Sequence, residues 1–214
     1  MNRLSSKTSV GLDNDELVHL ALYAMRNDRH DEAMSLLKRA IEASPDSATA
    51  HYLLGAEHAQ IGLYDRAVAE MAESVRLDPG IPAAHFQLGL LHLTAGRVRE
   101  AEAAWQPLER LAVDDPLRLF KSALLHLVSE ERELCIQELQ AGIARNTLNE
   151  ALNDDMRRLL ADLQARRGGG TDTRQDTREG SDSNRSQAPP QVPVPSKRML
   201  LSTYEQNPDD TATD

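Results

Sequence analysis

The sequence predicts an all-α protein, four stacked helix–turn–helix units closed by a capping helix, and three observations predict it. The first is a 34-residue period, running without a gap from Asn14 to Asn149 in blocks that start at Asn14, Ala48, Pro82 and Pro116. A shared period of this length means one helix pair stacked on itself, not four unrelated pairs. The second is what recurs. The eighth position reads Ala21, Gly55, Gly89, Ala123; the twentieth reads Ala33, Ala67, Ala101, Cys135; the twenty-fourth reads Leu37, Met71, Trp105, Leu139. Small residues sit where two helices must cross closely, and large ones fill the space beside the crossing. The third is residues 150–167, where Leu152, Met156, Leu159, Leu160 and Leu163 form one stripe, with Asp154, Asp155, Arg157, Arg158 and Asp162 elsewhere. A stripe of this width buries against one neighbour only, as the end of a repeat array requires.

In chain order, residues 1–13 are a polar, flexible N-terminus. Asp13 or Asn14 can cap the first helix, with Asp15 and Glu16 favourable at its positive end. Each block then gives a helix of about 13 residues, a short turn and a second helix. Asp28, Gly62, Gly96 and Glu130 mark those turns, and the glycines supply the left-handed conformation that a helix end often needs. Pro45, Pro79 and Pro116 fall between blocks, where a missing N–H costs little. Pro107 falls inside a second helix and cannot donate to the Ala103 carbonyl, which predicts a kink or an early end there.

The further matches are Leu20, Leu54 and Leu88 at the seventh position and Pro45 and Pro79 at the thirty-second. On these residues the pattern resembles the tetratricopeptide repeat, with units at 14–47, 48–81, 82–115 and 116–149 and a cap at 150–167. The fourth unit departs most, with Ser122 at the seventh position and Thr147 at the thirty-second. The resemblance implies a right-handed solenoid whose first helices line a concave groove through their second, fifth, ninth and twelfth positions. Those positions hold Asp15, Thr49, Ala83 and Leu117; Val18, Tyr52, Phe86 and Phe120; Leu22, Ala56, Leu90 and Leu124; and Met25, Ala59, Leu93 and Leu127. Both phenylalanines of the chain fall on one line. The expected peptide-binding groove is therefore Val18, Leu22, Tyr52, Phe86, Leu90, Leu93, Phe120, Lys121, Leu124 and Leu127. Such an apolar row suits an extended or helical segment with several apolar anchors. The alternative is that these side chains pack on one another or under the chain's own tail. Repeats that clamp chaperone C-termini carry Lys, Asn and Arg at the inner positions; here Val18, Leu22 and Leu53 stand there, which speaks against that ligand.

The net charge is −10, which argues against nucleic acid or an anionic membrane as main partner. Residues 1–10 lack the apolar core of a secretory signal, no stretch approaches a membrane span, and one cysteine makes no internal disulfide. A cytoplasmic location is the expectation. Residues 168–214 are expected to be disordered: they hold five basic and eight acidic residues, and residues 171–195 contain Val192 and Val194 as their only large aliphatics. Within this tail, 197–205 carries Met199, Leu200, Leu201 and Tyr204, a candidate binding motif that could also contact the groove.

His51 and His58, like His85 and His92, are seven residues apart. That spacing is about 10.5 Å of rise, too far for two ligands of one zinc. They read as packing, and Cys135 at a crossing position reads as a buried thiol. No phosphate loop, CxxC, HExxH or GxSxG is present, and Gly168, Gly169 and Gly170 follow a helix instead of opening one. No cofactor, metal or catalytic residue is expected. The reading is a non-enzymatic adaptor or scaffold. The alternative is a substrate-holding chaperone similar to the small acidic repeat chaperones of bacterial type III secretion, whose compact pattern the long tail departs from.

Overall fold

The structure is a computed structural model that describes residues 12–168, with side-chain surroundings through Ala165. Among the described residues every regular element is helical. The helices group in two compact units, residues 1–79 and 80–214.

The first unit contains α1 (Asn14–Arg26), α2 (His30–Ala43), α3 (Ala48–Gln60) and α4 (Tyr64–Leu77). Asp13 caps α1: its carboxylate accepts from the Glu16 N–H at 2.8 Å, while Glu16 accepts from the Asp13 N–H at 3.0 Å. The Ser47 hydroxyl caps α3. Successive helices pack as antiparallel neighbours, α1 on α2, α2 on α3 and α3 on α4. The small residues do what close crossing demands. Ala21, Ala33 and Ala67 are fully buried, and a Cβ on Gly55 would press to 3.0 Å from Met71 Cγ and 3.2 Å from the Ala67 carbonyl. Glu57, on the buried side of α3, meets His30 Nδ1 of α2 at 2.7 Å, so a polar link joins two helices inside an apolar seam.

The second unit contains α5 (Pro82–Thr94), α6 (Val98–Trp105), α7 (Pro116–Val128), α8 (Arg132–Arg145) and α9 (Glu150–Gly168). Pro82 and Pro116 each stand in the first turn of a helix, where no intrahelical N–H bond is lost. The Asp115 carboxylate caps α7 through the Leu117 N–H at 2.8 Å. Trp105 lies flat against Gly89, and its indole N–H donates to the Phe86 carbonyl at 2.9 Å. As the proline predicts, α6 stops at Trp105, and the chain tightens into a 3-10 helix over Gln106–Arg110. That turn still buries Leu108.

The join between α8 and α9 is polar. The Asn146 side chain donates to the Asn149 carbonyl at 2.9 Å and to Asn153 Oδ1 at 3.0 Å, and Asn153 Nδ2 donates back to the Asn146 carbonyl at 2.7 Å. Asn149 Oδ1 accepts from the Leu152 N–H at 2.8 Å, capping α9. From there Leu152, Met156, Leu159 and Leu163 enter one core cluster with residues of α5, α6, α7 and α8.

Candidate protein-binding surface

The apolar row expected to line an open groove is interior packing instead. In the first unit Val18 and Leu22 of α1 and Tyr52 of α3 are buried. In the second, Phe86, Leu90 and Leu93 of α5 and Phe120, Leu124 and Leu127 of α7 belong to the core cluster that α9 completes. The physical cause is the supply of neighbours. Phe86 stacks on Trp105 with ring centroids 6.1 Å apart, Phe120 lies against Gly142, and the stripe of α9 joins the same cluster. Lys121 is also buried, with its ammonium paired to Glu109, and Arg118 reaches the same carboxylate at 3.1 Å. The Lys121 hydrogen bond and charge hold the Glu109 carboxyl below the usual range. Lys121 is thus a structural cation tying the 3-10 turn to α7. Met199, Leu200, Leu201 and Tyr204 lie outside the described residues.

Two surface clefts lie in the first unit. The larger, about 510 Å³, opens between α2, α3 and α4. Ile41, Leu54 and Ala69 give it apolar walls, and Lys38 with Glu42 and Arg66 with Glu70 reach it from successive second helices. Inside, His51 Nδ1 sits 2.7 Å from Glu70 Oε2 and its Nε2 lies 3.3 Å from the Pro45 carbonyl, so this ring is held at both nitrogens. His58 is buried, and its Nδ1 meets no hydrogen-bond partner. Burial pushes the His58 pKa down; Glu70 opposes this, while Arg66 and Lys38 push the same way. The ring is therefore held neutral and able to donate or accept one hydrogen bond. The spacing of the histidines was legible in the sequence, but the meeting of Lys38 and Arg66 at one cleft was not, because only the packing of α2 and α4 on α3 brings them there.

The second cleft, about 480 Å³, lies along the start of α1 among Leu12, Asp13, Asp15, Glu16, His19 and Leu20. It continues into an exposed apolar strip. Leu20 is 43% exposed, whereas Leu54 at the same position of the next unit is 3% exposed. Tyr23 is 58% exposed, whereas Glu57 at its equivalent is 0%. α2 packs on α3, but among the described residues no helix stands in that relation to α1. The recurrence of Leu20 at the seventh position was visible in the sequence; its exposure was not, because it depends on what packs against α1, and no described helix does so on that side.

Among the described residues no group of three or more His, Cys, Asp or Glu side chains could hold a metal ion. Cys135 is fully buried, and burial, with Glu138 nearby, pushes its thiol up to about 11, away from the thiolate that nucleophilic chemistry needs. Among the described residues no helix is long and apolar enough to cross a membrane.

Compared with known proteins, the chain matches the tetratricopeptide repeat family over residues 19–82 and again over 57–116. No curated protein matches it. Among solved structures, residues 41 to the end of MamA from Desulfovibrio magneticus RS-1 are 19% identical. That match covers 75% of this chain and 88% of that one, with a TM-score of 0.55. At that identity the likeness speaks for the fold alone. A sequence period whose small positions are the helix crossings, the hairpins built on it and the family match over residues 19–116 together identify tetratricopeptide repeats in this chain.

Proposed function

We propose that this chain is a non-enzymatic adaptor that seats a short segment of a partner protein in the cleft between α2, α3 and α4. The repeat fold supports a protein–protein interaction role. The cleft reading is carried by one observation: apolar walls beside which two cations, Lys38 and Arg66, and two carboxylates, Glu42 and Glu70, lie together. An apolar side chain of the partner packs on Ile41, Leu54 and Ala69, while Lys38 and Arg66 face a carboxylate next to it. The partner segment is therefore apolar at its anchor, with a carboxylate placed toward Lys38 and Arg66 and away from Glu42 and Glu70. In this reading Val18, Leu22 and Tyr52 are core of the same unit and do not touch the ligand.

The test is affinity capture with three full-helicity baits: wild type, a Lys38→Glu/Arg66→Glu double variant, and a chain ending at Arg167. Proteins held by wild type and by the shortened chain, but lost with the double variant and released by added salt, are the expected result. Capture that survives the double variant and vanishes on shortening overturns the cleft reading and moves the site to the segment with Met199, Leu200, Leu201 and Tyr204.

A further inference from the structure

The exposed strip of α1 is a repeat-stacking face, and the residues on its flanks say what covers it. Positions equivalent to Leu20 and Tyr23 are buried in the next unit under α2, so this face of the repeat is built for contact with another helix. Along α1 and the residue before its cap it carries Leu12, Leu20 and Tyr23, each more than two-fifths exposed, with His19 and Glu16 between them. Asp15 and Arg26, both exposed, are eleven residues apart, which is three helical turns plus about 20°. They therefore share one flank of the helix, and Leu20, on the opposite flank of the strip, stands near the midpoint between them in height along the axis. The first turn is acidic and the last turn basic.

We propose that this face docks on the same face of a second copy of the chain, the two α1 helices running antiparallel about a two-fold axis near Leu20. A two-fold of this kind returns each flank to itself with its direction reversed. Asp15 of one copy then faces Arg26 of the other, twice, while Leu20 meets Leu20 and each Tyr23 covers the Glu16 turn of the opposite copy. The antiparallel arrangement also sets the positive end of each helix dipole beside the negative end of its mate. Charge complementarity selects this occupant: the pattern that fits α1 is α1 itself, reversed. The face is one helix long, about 20 Å, so the contact area falls below that of stable complexes. Self-association is accordingly weak and concentration-dependent, with a Kd on the order of 100 μM. The proposal is independent of the α2–α4 cleft, whose residues it does not use.

Sedimentation of the full chain, followed from about 5 to 500 μM, reads the weight-average mass around that Kd. Wild type is expected to climb toward twice the chain mass, and Leu20→Asp to stay at one chain throughout, with unchanged helicity by circular dichroism. Asp15→Arg and Arg26→Asp each place like charges together and are expected to weaken association about tenfold. An equimolar mixture of these two variants restores both contacts and should associate as wild type does. A monomeric wild type at every concentration overturns the proposal and leaves residues 1–11 or a different protein to cover the strip. Association that survives Leu20→Asp, or a mixture that fails to recover, overturns it equally.

Discussion

Each hairpin closes through a single residue in the left-handed backbone region: Asp28 at φ 59°, Gly62 at 78°, Gly96 at 74° and Glu130 at 60°. Glycine occupies that region without cost, whereas a side chain there costs about 1–2 kcal/mol, relieved for Asp by its short side chain bonding locally. Glu130 has no such relief from its longer side chain, yet its turn is otherwise well formed. The Glu130 N–H donates to the Leu127 carbonyl at 3.2 Å, and the next N–H donates to the His126 carbonyl at 2.9 Å. Glu130→Gly keeps both bonds and removes the strain. It is expected to raise stability by about 0.5–1 kcal/mol in urea titration, after the entropy glycine adds to the unfolded chain. The same change at exposed Glu102, inside α6, should cost about 1 kcal/mol. A loss at both sites would refute the strain assignment.

At the scale of the element, what holds a hairpin together is the fit between its eighth and twenty-fourth positions. Gly89 and Trp105 show the fit at its tightest: a methyl on Gly89 would overlap the indole ring whose N–H is committed to the Phe86 carbonyl. Gly89→Ala must therefore displace Trp105, break a buried hydrogen bond or separate α5 from α6. We expect a loss of about 2–3 kcal/mol by chemical denaturation. Trp105→Phe on the same background should recover part of it, since the two changes share one space. Additive losses would mean the two residues do not meet. These pairings were legible from one sequence because helix crossing imposes small residues at a fixed spacing, whatever lies outside the hairpin. The fate of Tyr52, Phe86 and Phe120 was not. Whether a fifth-position side chain faces solvent depends on how closely neighbouring elements approach it, and for Phe86 and Phe120 the covering groups come from Trp105, Gly142 and α9. Nor could spacing pair Lys121 with Glu109, because that contact exists only after Pro107 has ended α6 and the 3-10 turn has swung Glu109 toward α7.

Across the whole molecule, the described chain divides into two compact units, and each must bury its own apolar surface. The second does so with a helix that belongs to no hairpin. α9 contributes Leu152, Met156, Leu159 and Leu163 to the cluster holding Phe86, Phe120 and Leu139, while Arg157 and Arg158 stay exposed on its other side. A repeat array whose last hairpin lacked such a helix would leave that cluster open to water, so α9 should matter to stability out of proportion to its length. Each of its four buried side chains is worth about 1.5–3 kcal/mol. Met156 is fully buried among them, and Met156→Asp both removes its packing and sets a carboxylate in an apolar cluster. The expected loss exceeds about 3 kcal/mol. Hydrogen exchange gives the sharper reading: α7 and α8, which share the cluster with α9, should lose amide protection, while α1 to α4, with a buried set of their own, keep most of theirs. Uniform loss across all helices would show that the two units open as one and that α9 closes the entire molecule instead of its second unit.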